Sequence, residues 1–290
     1  MQELLFKKGY QKDKILRKSY NELANKTFGI NFESWYKKGQ WTDKYIPYSY
    51  IDGQKVVANV SVNKVDFLID GEEKRAIQIG TVMTDPAYRN QGLSRALMEI
   101  ILEEYQMIDF IYLFANHTVL DFYPKFGFER LEESYFSMEV KEPGQYLSLK
   151  KMSPNDNEDF SFIENMVLER SALTEKFDTM NTKELFMFYC LNVFPNDIYF
   201  IEEDEALVIC QIENKSLHIF DIVSKSKPDI KRIIQRIPAP GIDKVILHFT
   251  PEGLPVSSKK IQSTDDVLFV KKINEVMFPT EFKHPLTSKA

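Results

Sequence analysis

The chain has 290 residues, a hydrophobic fraction of 43% and a formal net charge of −6. This length predicts about two domains of roughly 150 residues each. The negative charge argues against general nucleic-acid binding. No apolar run approaches the roughly 18 residues of a membrane span, and the first residues are charged too early for a signal peptide, so we expect a cytoplasmic protein without a membrane segment.

The first part of the chain predicts a mixed set of helices and strands. Apolar spacing indicates a strand at 4–6, helices at 14–28 and 32–38, and strands at 45–51, 56–65 and 67–69. Asp52-Gly53 and Asp70-Gly71 stand between apolar runs, which is a strong signal for hairpin turns. The order is therefore a strand, two helices and an antiparallel meander.

In the next predicted strand, the alternation of apolar residues shifts from one face to the other. Ile77 and Ile79 have one parity of an extended run, whereas Val82 and Thr84 have the other. A shift by one residue is what a β-bulge produces, so we expect a bulge near residues 80 and 81. From Leu93 the apolar spacing becomes helical, so the turn at 85–91 leads into a helix N-terminus.

A helix start of this kind can bind an anion. Its first amide groups lack partners and it has a partial positive charge, so phosphate oxygens bind there when side chains leave room. Gly92 and Ser94 leave that room, and Arg89 adds a fixed positive charge. As an isolated pattern, Gly92 is equally well read as an ordinary turn glycine. A nucleotide P-loop is excluded because no Gly-Lys-Ser/Thr follows.

The strand, bulge, polar turn and helix together resemble the acyl-coenzyme A motif of the GCN5-related N-acetyltransferases (GNAT). That motif is Arg or Gln, two residues, Gly, one residue, then Gly or Ala, and Ser94 departs from its last position. The resemblance implies acetyl-coenzyme A as co-substrate and no metal. It implies that the coenzyme contacts Val82, Met83, Thr84, Arg89, Asn90, Gln91, Gly92, Leu93, Ser94, Arg95 and Asn116.

A second motif follows an apolar strand at 110–115, which completes a βαβ unit with a parallel pair. Asn116 opens a short helix that is interrupted at Pro124 and ends near Gly127. The string resembles the second coenzyme A motif of the same family, and the resemblance implies that Tyr123 is the proton donor to sulfur. The alternative is that Tyr123 only packs beside neighbouring phenylalanines. Strands at 128–131 and 135–140 are expected to complete the sheet.

The second half repeats the first in outline. Pro143-Gly144 suggests a boundary, giving a coenzyme-binding GNAT domain at 1–142 and a degenerate GNAT-like domain at 143–290. The spacing predicts a strand, two helices, a meander, a helix at 229–237 and a strand at 244–249. No Arg-x-x-Gly-x-small turn follows Asp221, so we expect no second coenzyme site. Cys190 and Cys210 lie in apolar runs and are expected to be buried thiols, and no Cys/His spacing predicts zinc.

The predicted fold class is α+β, with a mixed sheet in each of two tandem domains. This arrangement resembles the enhanced intracellular survival class of acetyltransferases. Members of that class usually have a further sterol-carrier-like domain whose C-terminal carboxylate serves catalysis. Because the sequence ends at Ala290, we expect no such domain in it. The base and the substrate pocket of that class therefore cannot be transferred to this chain.

Several assignments stay open. Candidate bases are Glu33, Asp43, Asp85, Glu103 or a water chain, while His117 is expected to cap the second-motif helix. Trp35 and Trp41 either wall a substrate pocket or belong to the core. The expected function is direct acetyl transfer to an amine of a small molecule or peptide. The alternative is a non-catalytic acyl-coenzyme A binding regulator that keeps the fold.

Overall fold

The computed structural model describes residues 4–139, 149–238, 240–263 and 265–290. Most elements predicted from apolar spacing in the first half are confirmed, several to within a residue. They are β1 (Leu5–Lys8), α1 (Lys14–Phe28), α2 (Glu33–Lys37), β2 (Tyr45–Asp52), β3 (Lys55–Ile69), β4 (Glu72–Thr84), α3 (Leu93–Glu104), β5 (Phe110–Ala115), β6 (Glu129–Arg130) and β7 (Ser134–Glu139). The two strands predicted between residues 56 and 69 are one continuous strand, β3.

The second half repeats this order and adds strands that the sequence did not predict. Its elements are β8 (Lys150–Met152), α4 (Asn157–Leu168), β9 (Phe177–Met180), α5 (Lys183–Asn192), β10 (Ile198–Ile201), β11 (Ala206–Glu213), β12 (Ser216–Ser224), α6 (Ile230–Arg236), β13 (Lys244–Leu247), β14 (Ser257–Lys260) and β15 (Val267–Lys272). The unpredicted strands are β9, β14 and β15. β9 and β14 have only 4 residues each, and β14 has the sequence Ser-Ser-Lys-Lys, which lacks an apolar face. β15 has 6 residues and begins with an apolar run that was not recognised as a strand from the sequence.

The strands form two mixed sheets. The first has the order β1-β2-β3-β4-β5-β15-β6, with β9 paired to β3, and the second has the order β14-β7-β13-β12-β11-β10-β8. Each contains one parallel pair, β4 with β5 and β12 with β13, beside antiparallel neighbours. The α+β class and the tandem repetition are confirmed.

One prediction about the sheets was wrong. The strand at 135–140 does not complete the first sheet, because β7 lies between β13 and β14 in the second. In exchange, β15 from the second half lies between β5 and β6 of the first sheet. Alternating side chains identify a strand but not its partner, so the exchange could not be inferred from the sequence. The proposed boundary at 142/143 lies outside the described residues.

An aromatic core underlies α1 and α2. Tyr20, Phe32, Trp35 and Trp41 are all buried there, and their rings pack mainly in tilted and edge-to-face contacts. The indole N–H of Trp35 donates to the backbone oxygen of Glu184 at 2.7 Å, which ties this core to the second half. Trp41 is therefore a core residue, whereas Trp35 also reaches a cavity described below.

Both cysteines are free and buried, as expected. In the described ranges, no helix has the length and apolar content needed to span a bilayer. Nor do the described histidine, cysteine and acidic side chains contain a group of three or more placed to hold a metal ion.

Candidate active site

The predicted bulge is present in β4. In the ladder with β3, Ser61 pairs with Gly80 while Asn59 pairs with Met83, so two residues of β4 face one residue of β3. The parallel ladder between β4 and β5 ends at Ile79. Because a bulge bends its strand, β4 and β5 separate beyond this point.

A buried hydrogen-bond network holds the bulge. Thr81 has a φ of +43°, a conformation that β-branched residues rarely adopt. The Asn59 side-chain amide donates to the Thr81 backbone oxygen at 2.9 Å, and the hydroxyls of Tyr45 and Thr81 are 2.8 Å apart. The Tyr20 hydroxyl lies 2.6 Å from that of Tyr45. These contacts compensate for the strained backbone.

A first cavity of about 490 Å³ lies where β4 and β5 separate. Its walls come from the bulged end of β4, the turn before α3, the end of β5 and the second motif. Predicted site residues in these walls are Val82, Met83, Thr84, Arg89, Ser94, Asn116 and Tyr123. The cavity thus brings both sequence motifs together.

The N-terminus of α3 opens beside this cavity without a side-chain cap. Gly92 is the N-cap residue with a φ of +76°, and the first turn contains no acidic residue. In the part of the chain that the structure describes, no side chain accepts from the first amides. Helices α1, α4 and α6 instead begin at Asp13, Asp156 and Asp229, and each carboxylate accepts from its own helix amides. The α3 N-terminus therefore keeps free donors and a partial positive charge.

Polar side chains around this turn are arranged to leave its centre clear. The Ser94 hydroxyl lies 2.8 Å from that of Thr84, so it is held against the strand. Arg89 is exposed, with its Nε 3.4 Å from the Thr84 backbone oxygen. A pyrophosphate fits these donors and this charge, so the residues present suit a coenzyme A pyrophosphate.

The remaining predicted contact residues do not line the first cavity itself. Asn90, Gln91, Gly92 and Arg95 are exposed at the turn and the first helical turn, and Leu93 is half-buried beside them. They surround the helix N-terminus. Asn116 lines the cavity, but its amide oxygen already accepts from the Thr118 backbone N–H at 3.0 Å.

Tyr123 combines the two roles that the sequence left open. Its ring is buried against Phe122, Phe128 and Phe269, and the same side chain lines the first cavity. Burial raises the pKa of Tyr123 to about 12. Among the described residues its hydroxyl has no hydrogen-bond partner, so it is a protonated donor available to a ligand.

Asp85 is a structural residue of the turn. Its carboxylate accepts from the Ala87 N–H at 3.0 Å and lies 2.9 Å from the Lys55 ammonium. The hydrogen bond from Lys55 lowers the pKa of Asp85 below its usual value. A carboxylate with a lowered pKa is a weaker base, and this one does not line the first cavity.

The other candidate bases also lie elsewhere. Glu33 accepts from the Arg17 Nε at 3.0 Å, and exposed His117 lies 2.6 Å from an Asp265 oxygen through its Nδ1. Among the described residues, the first cavity is lined by none of Glu33, Asp43, Asp85, Glu103 and His117.

A second cavity of about 580 Å³ lies on the other side of the bulge, between the first domain and α5. Its lining residues are Gly29, Ile30, Asn31, Phe32, Ser34, Trp35, Tyr45, Thr81, Leu185, Phe188, Tyr189, Asn192, Val193, Lys289 and Ala290. Ile30, Thr81 and Ala290 line both cavities, so the two meet at this point. We call the region lined by Ile30, Thr81 and Ala290 the junction.

The last residues bring the chain back to the junction, which no motif in the sequence signalled. Buried polar contacts anchor them: the His284 Nε2 is 3.1 Å from the Tyr112 hydroxyl, and the Ser288 and Thr179 hydroxyls are 2.8 Å apart. A Cβ added at Gly80 would lie 3.1 Å from the Ala290 Cβ, so the segment lies directly against the bulge.

Comparisons with known proteins agree with this geometry. Residues 14–131 match a family model described as an acetyltransferase (GNAT) domain. A probable N-acyltransferase from Enterococcus faecalis V583 superposes with a TM-score of 0.63 at 16% identity, covering 94% of this chain and 73% of its own.

Two further solved structures share the fold over nearly the whole chain. Eis1 from Mycobacterium abscessus gives a TM-score of 0.60 at 9% identity and covers 94% of this chain and 74% of its own. A GCN5-related N-acetyltransferase from Anabaena variabilis gives 0.57 at 18% identity and covers 93% and 73%. At these identities the likeness concerns the tandem fold alone. Residues 14–131 of this chain therefore match a GNAT acetyltransferase domain, as the resemblance of the two motifs predicted.

Proposed function

We propose that this protein transfers an acetyl group from acetyl-coenzyme A directly to an amine of a small molecule or peptide. The observation that carries the proposal is the junction, where a cavity built from both coenzyme motifs meets a second cavity with its own outer opening. Direct transfer requires two substrates whose reacting atoms come within about 3.5 Å of each other. A protein that only binds a coenzyme has no need of the second cavity.

The α3 N-terminus holds the coenzyme pyrophosphate in this proposal. Its first amides donate to phosphate oxygens, and Arg89 neutralises their charge from the exposed side of the turn. The positive φ of Gly92 lets the backbone turn sharply before the helix, and an added Cβ there would meet nothing within 4 Å. The site is therefore open to a large anion.

The bulged end of β4 holds the pantetheine amides and the thioester. Among the described residues, β4 has no ladder partner on the β5 side beyond Ile79, so the main chain of residues 80–84 can pair with an extended ligand as an added strand would. The same backbone N–H groups polarise the acetyl carbonyl oxygen as negative charge develops on it. In this proposed binding mode the carbonyl carbon faces the junction.

Tyr123 donates a proton to the departing sulfur. With a pKa of about 12, the phenol stays protonated throughout the neutral range. Complete transfer to an alkyl thiolate of pKa near 8.5 would be uphill by about 5 kcal/mol. Partial sharing of the proton still stabilises developing charge more than it stabilises the ground state.

The proposal is tested by thiol release. The purified protein is incubated with acetyl-coenzyme A and, separately, aminoglycosides, polyamines, lysine peptides and apolar amines, and free thiol is followed together with the acetylated amine by mass spectrometry. We expect amine-dependent thiol release with one acetylated product per thiol. Tight coenzyme binding without release for any amine would contradict a transferase and favour the binding protein.

A further inference from the structure

The second cavity has an apolar interior and a polar rim. Its interior walls are the side chains of Phe32, Trp35, Tyr45, Leu185 and Phe188, of which the first four are buried. Asn31, Ser34, Asn192 and Val193 are exposed and lie at the rim. Cavities that bind small ligands are usually built in this way, with an apolar body and few polar groups.

The polar groups of the interior are already satisfied. The Trp35 indole donates to the Glu184 backbone oxygen, and the Tyr45 hydroxyl belongs to the network that holds the bulge. Lys289 contributes to the wall, but its ammonium pairs with Asp266 and lies 3.9 Å from the centre of the Phe114 ring. Among the described residues, no aspartate or glutamate side chain lines this cavity.

The main chain of Ala290 lines the wall at the junction. Away from the junction, a cationic group that enters this interior would lose its hydration without gaining an acidic side-chain partner, which is strongly unfavourable. An apolar body gains instead, because burial of apolar surface is favourable and the walls offer aromatic faces. The reacting amine must be uncharged to attack the carbonyl, and alkylamines share a similar cost of deprotonation near neutral pH, so this group does not distinguish one acceptor from another.

Building on the proposed function, we propose that the acceptor is a primary monoamine on an apolar or aromatic body, bound with that body against Trp35, Leu185 and Phe188. Polyamines and aminoglycosides are excluded as good acceptors, because each brings further ammonium groups into the apolar interior or to a rim that has no acidic side chain among the described residues. The amine nitrogen forms the new C–N bond, the C–S bond breaks, one amine proton leaves to solvent, and the thiol departs as coenzyme A.

The test compares hexylamine with hexamethylenediamine. The two acceptors have the same chain and the same reacting amine and differ by one terminal ammonium group. We expect kcat/KM for hexylamine to be about 100-fold higher, on the scale expected for burying an uncompensated charge. Equal values within threefold would overturn the proposed acceptor class while leaving the transferase function intact.

Variants of Asn192, at the rim of the second cavity, test whether charge causes the discrimination between the two acceptors. Asn192 donates to the Phe188 backbone oxygen at 2.9 Å, and both Asn192→Asp and Asn192→Ala lose that bond, but only the aspartate adds a charge. We expect Asn192→Asp to reduce the discrimination about tenfold relative to Asn192→Ala, because its carboxylate pairs with the second ammonium. Equal discrimination in the two variants would contradict the charge argument. If no amine of any kind is acetylated, the proposed function itself fails, and the acceptor assignment with it.

Discussion

The two halves differ most at the turn that leads from the last strand of each meander into the following helix. Both halves have a bulge there: the β4 register shifts opposite Asn59 and Ser61, and the β12 register shifts opposite Ile209 and Cys210. In the first half the helix begins at Gly92 with free amides. In the second, the Asp229 carboxylate accepts from the Arg232 amide at 3.0 Å.

The surroundings of the two bulges also differ in whether they leave space for a ligand. The first bulge faces an open cavity, whereas Asp221 beside the second forms a buried pair with Arg170 at 3.0 Å and accepts from the Thr287 hydroxyl. Helix α6 has 7 residues against 12 in α3. The second half thus repeats the strand order and the bulge, but its own carboxylates, Asp221 and Asp229, lie at the bulge and at the helix start, where we propose that the first half binds its ligand.

The largest expected effect comes from separating the halves. A fragment of residues 1–142 lacks β9 and β15, so β5 loses its strand partner on one side. The hydrophobic cluster around Phe67 also loses Phe177, Leu268 and Val270. We expect the fragment to lack cooperative thermal unfolding by near-ultraviolet circular dichroism. Co-expression with residues 143–290 is the control and should restore the transition. A fragment that unfolds cooperatively alone would show that the exchanged strands are dispensable.

Gly92→Asp would make the first turn resemble the second. The carboxylate would lie at the free amides and repel the pyrophosphate, so coenzyme A affinity should fall by about 100-fold or more. Gly92→Asn is the matched control, with the same size and backbone demand but no charge, and the φ of +76° costs both variants a similar strain. Binding is measured by calorimetric titration. Affinities that agree within threefold between the two variants would rule out the phosphate assignment.

Tyr123→Phe should leave coenzyme affinity nearly unchanged, because the ring keeps its packing against Phe128. The turnover number should fall by about 10²-fold, the usual scale for a lost general acid. Tyr50→Phe is the control, since Tyr50 packs on the same core but does not line the first cavity. Turnover within threefold of wild type, with chemistry rate-limiting, would assign Tyr123 to the core alone.

The pH dependence of the turnover number tests the protonation state of Tyr123 separately. Its raised pKa of about 12 means that the hydroxyl stays protonated below that value. The turnover number should therefore show no alkaline decline from this group between pH 7 and roughly pH 10, where a phenol in water ordinarily ionises. A decline centred in that range in wild type, absent from Tyr123→Phe, would show that the phenol ionises more easily than its burial implies.

Gly80→Ala tests the contact between the bulge and the last residue. The added methyl group would lie 3.1 Å from the Ala290 Cβ and 3.2 Å from its carbonyl carbon, so the end of the chain must shift. We expect kcat/KM to fall by about tenfold, since small misplacements at a reacting centre are costly, with coenzyme affinity changed less. An unchanged kcat/KM in steady-state assays would mean that Ala290 does not shape the junction.

The smallest effect is expected from Asp229→Asn in the second half. It removes the carboxylate at α6 but adds neither an arginine turn nor a longer helix, so calorimetry should still give one coenzyme per chain, as in wild type. A stoichiometry near two in either protein would reveal a second anion site.

Local physics made much of the first half predictable from its sequence. Helix α1 was placed correctly from its apolar stripe, and in the structure Asp13 and Gly29 cap its two ends. The bulge was visible as a change of parity between Ile79 and Val82, and the open helix start as Arg89-x-x-Gly92. Each signal depends on neighbours in the chain, so one sequence suffices to detect it.

The tertiary structure alone decided which strands pair and what surrounds the junction. β7 was predicted as a strand and β15 was not, and their exchange between the sheets depends on contacts between residues more than 100 positions apart, such as Leu113 with Phe269. The second cavity joins Trp35 to Phe188 and Ala290, which no spacing rule relates. Its lining, and with it the expected acceptor, follows from how the two halves pack, because side chains distant in sequence set its shape and charge.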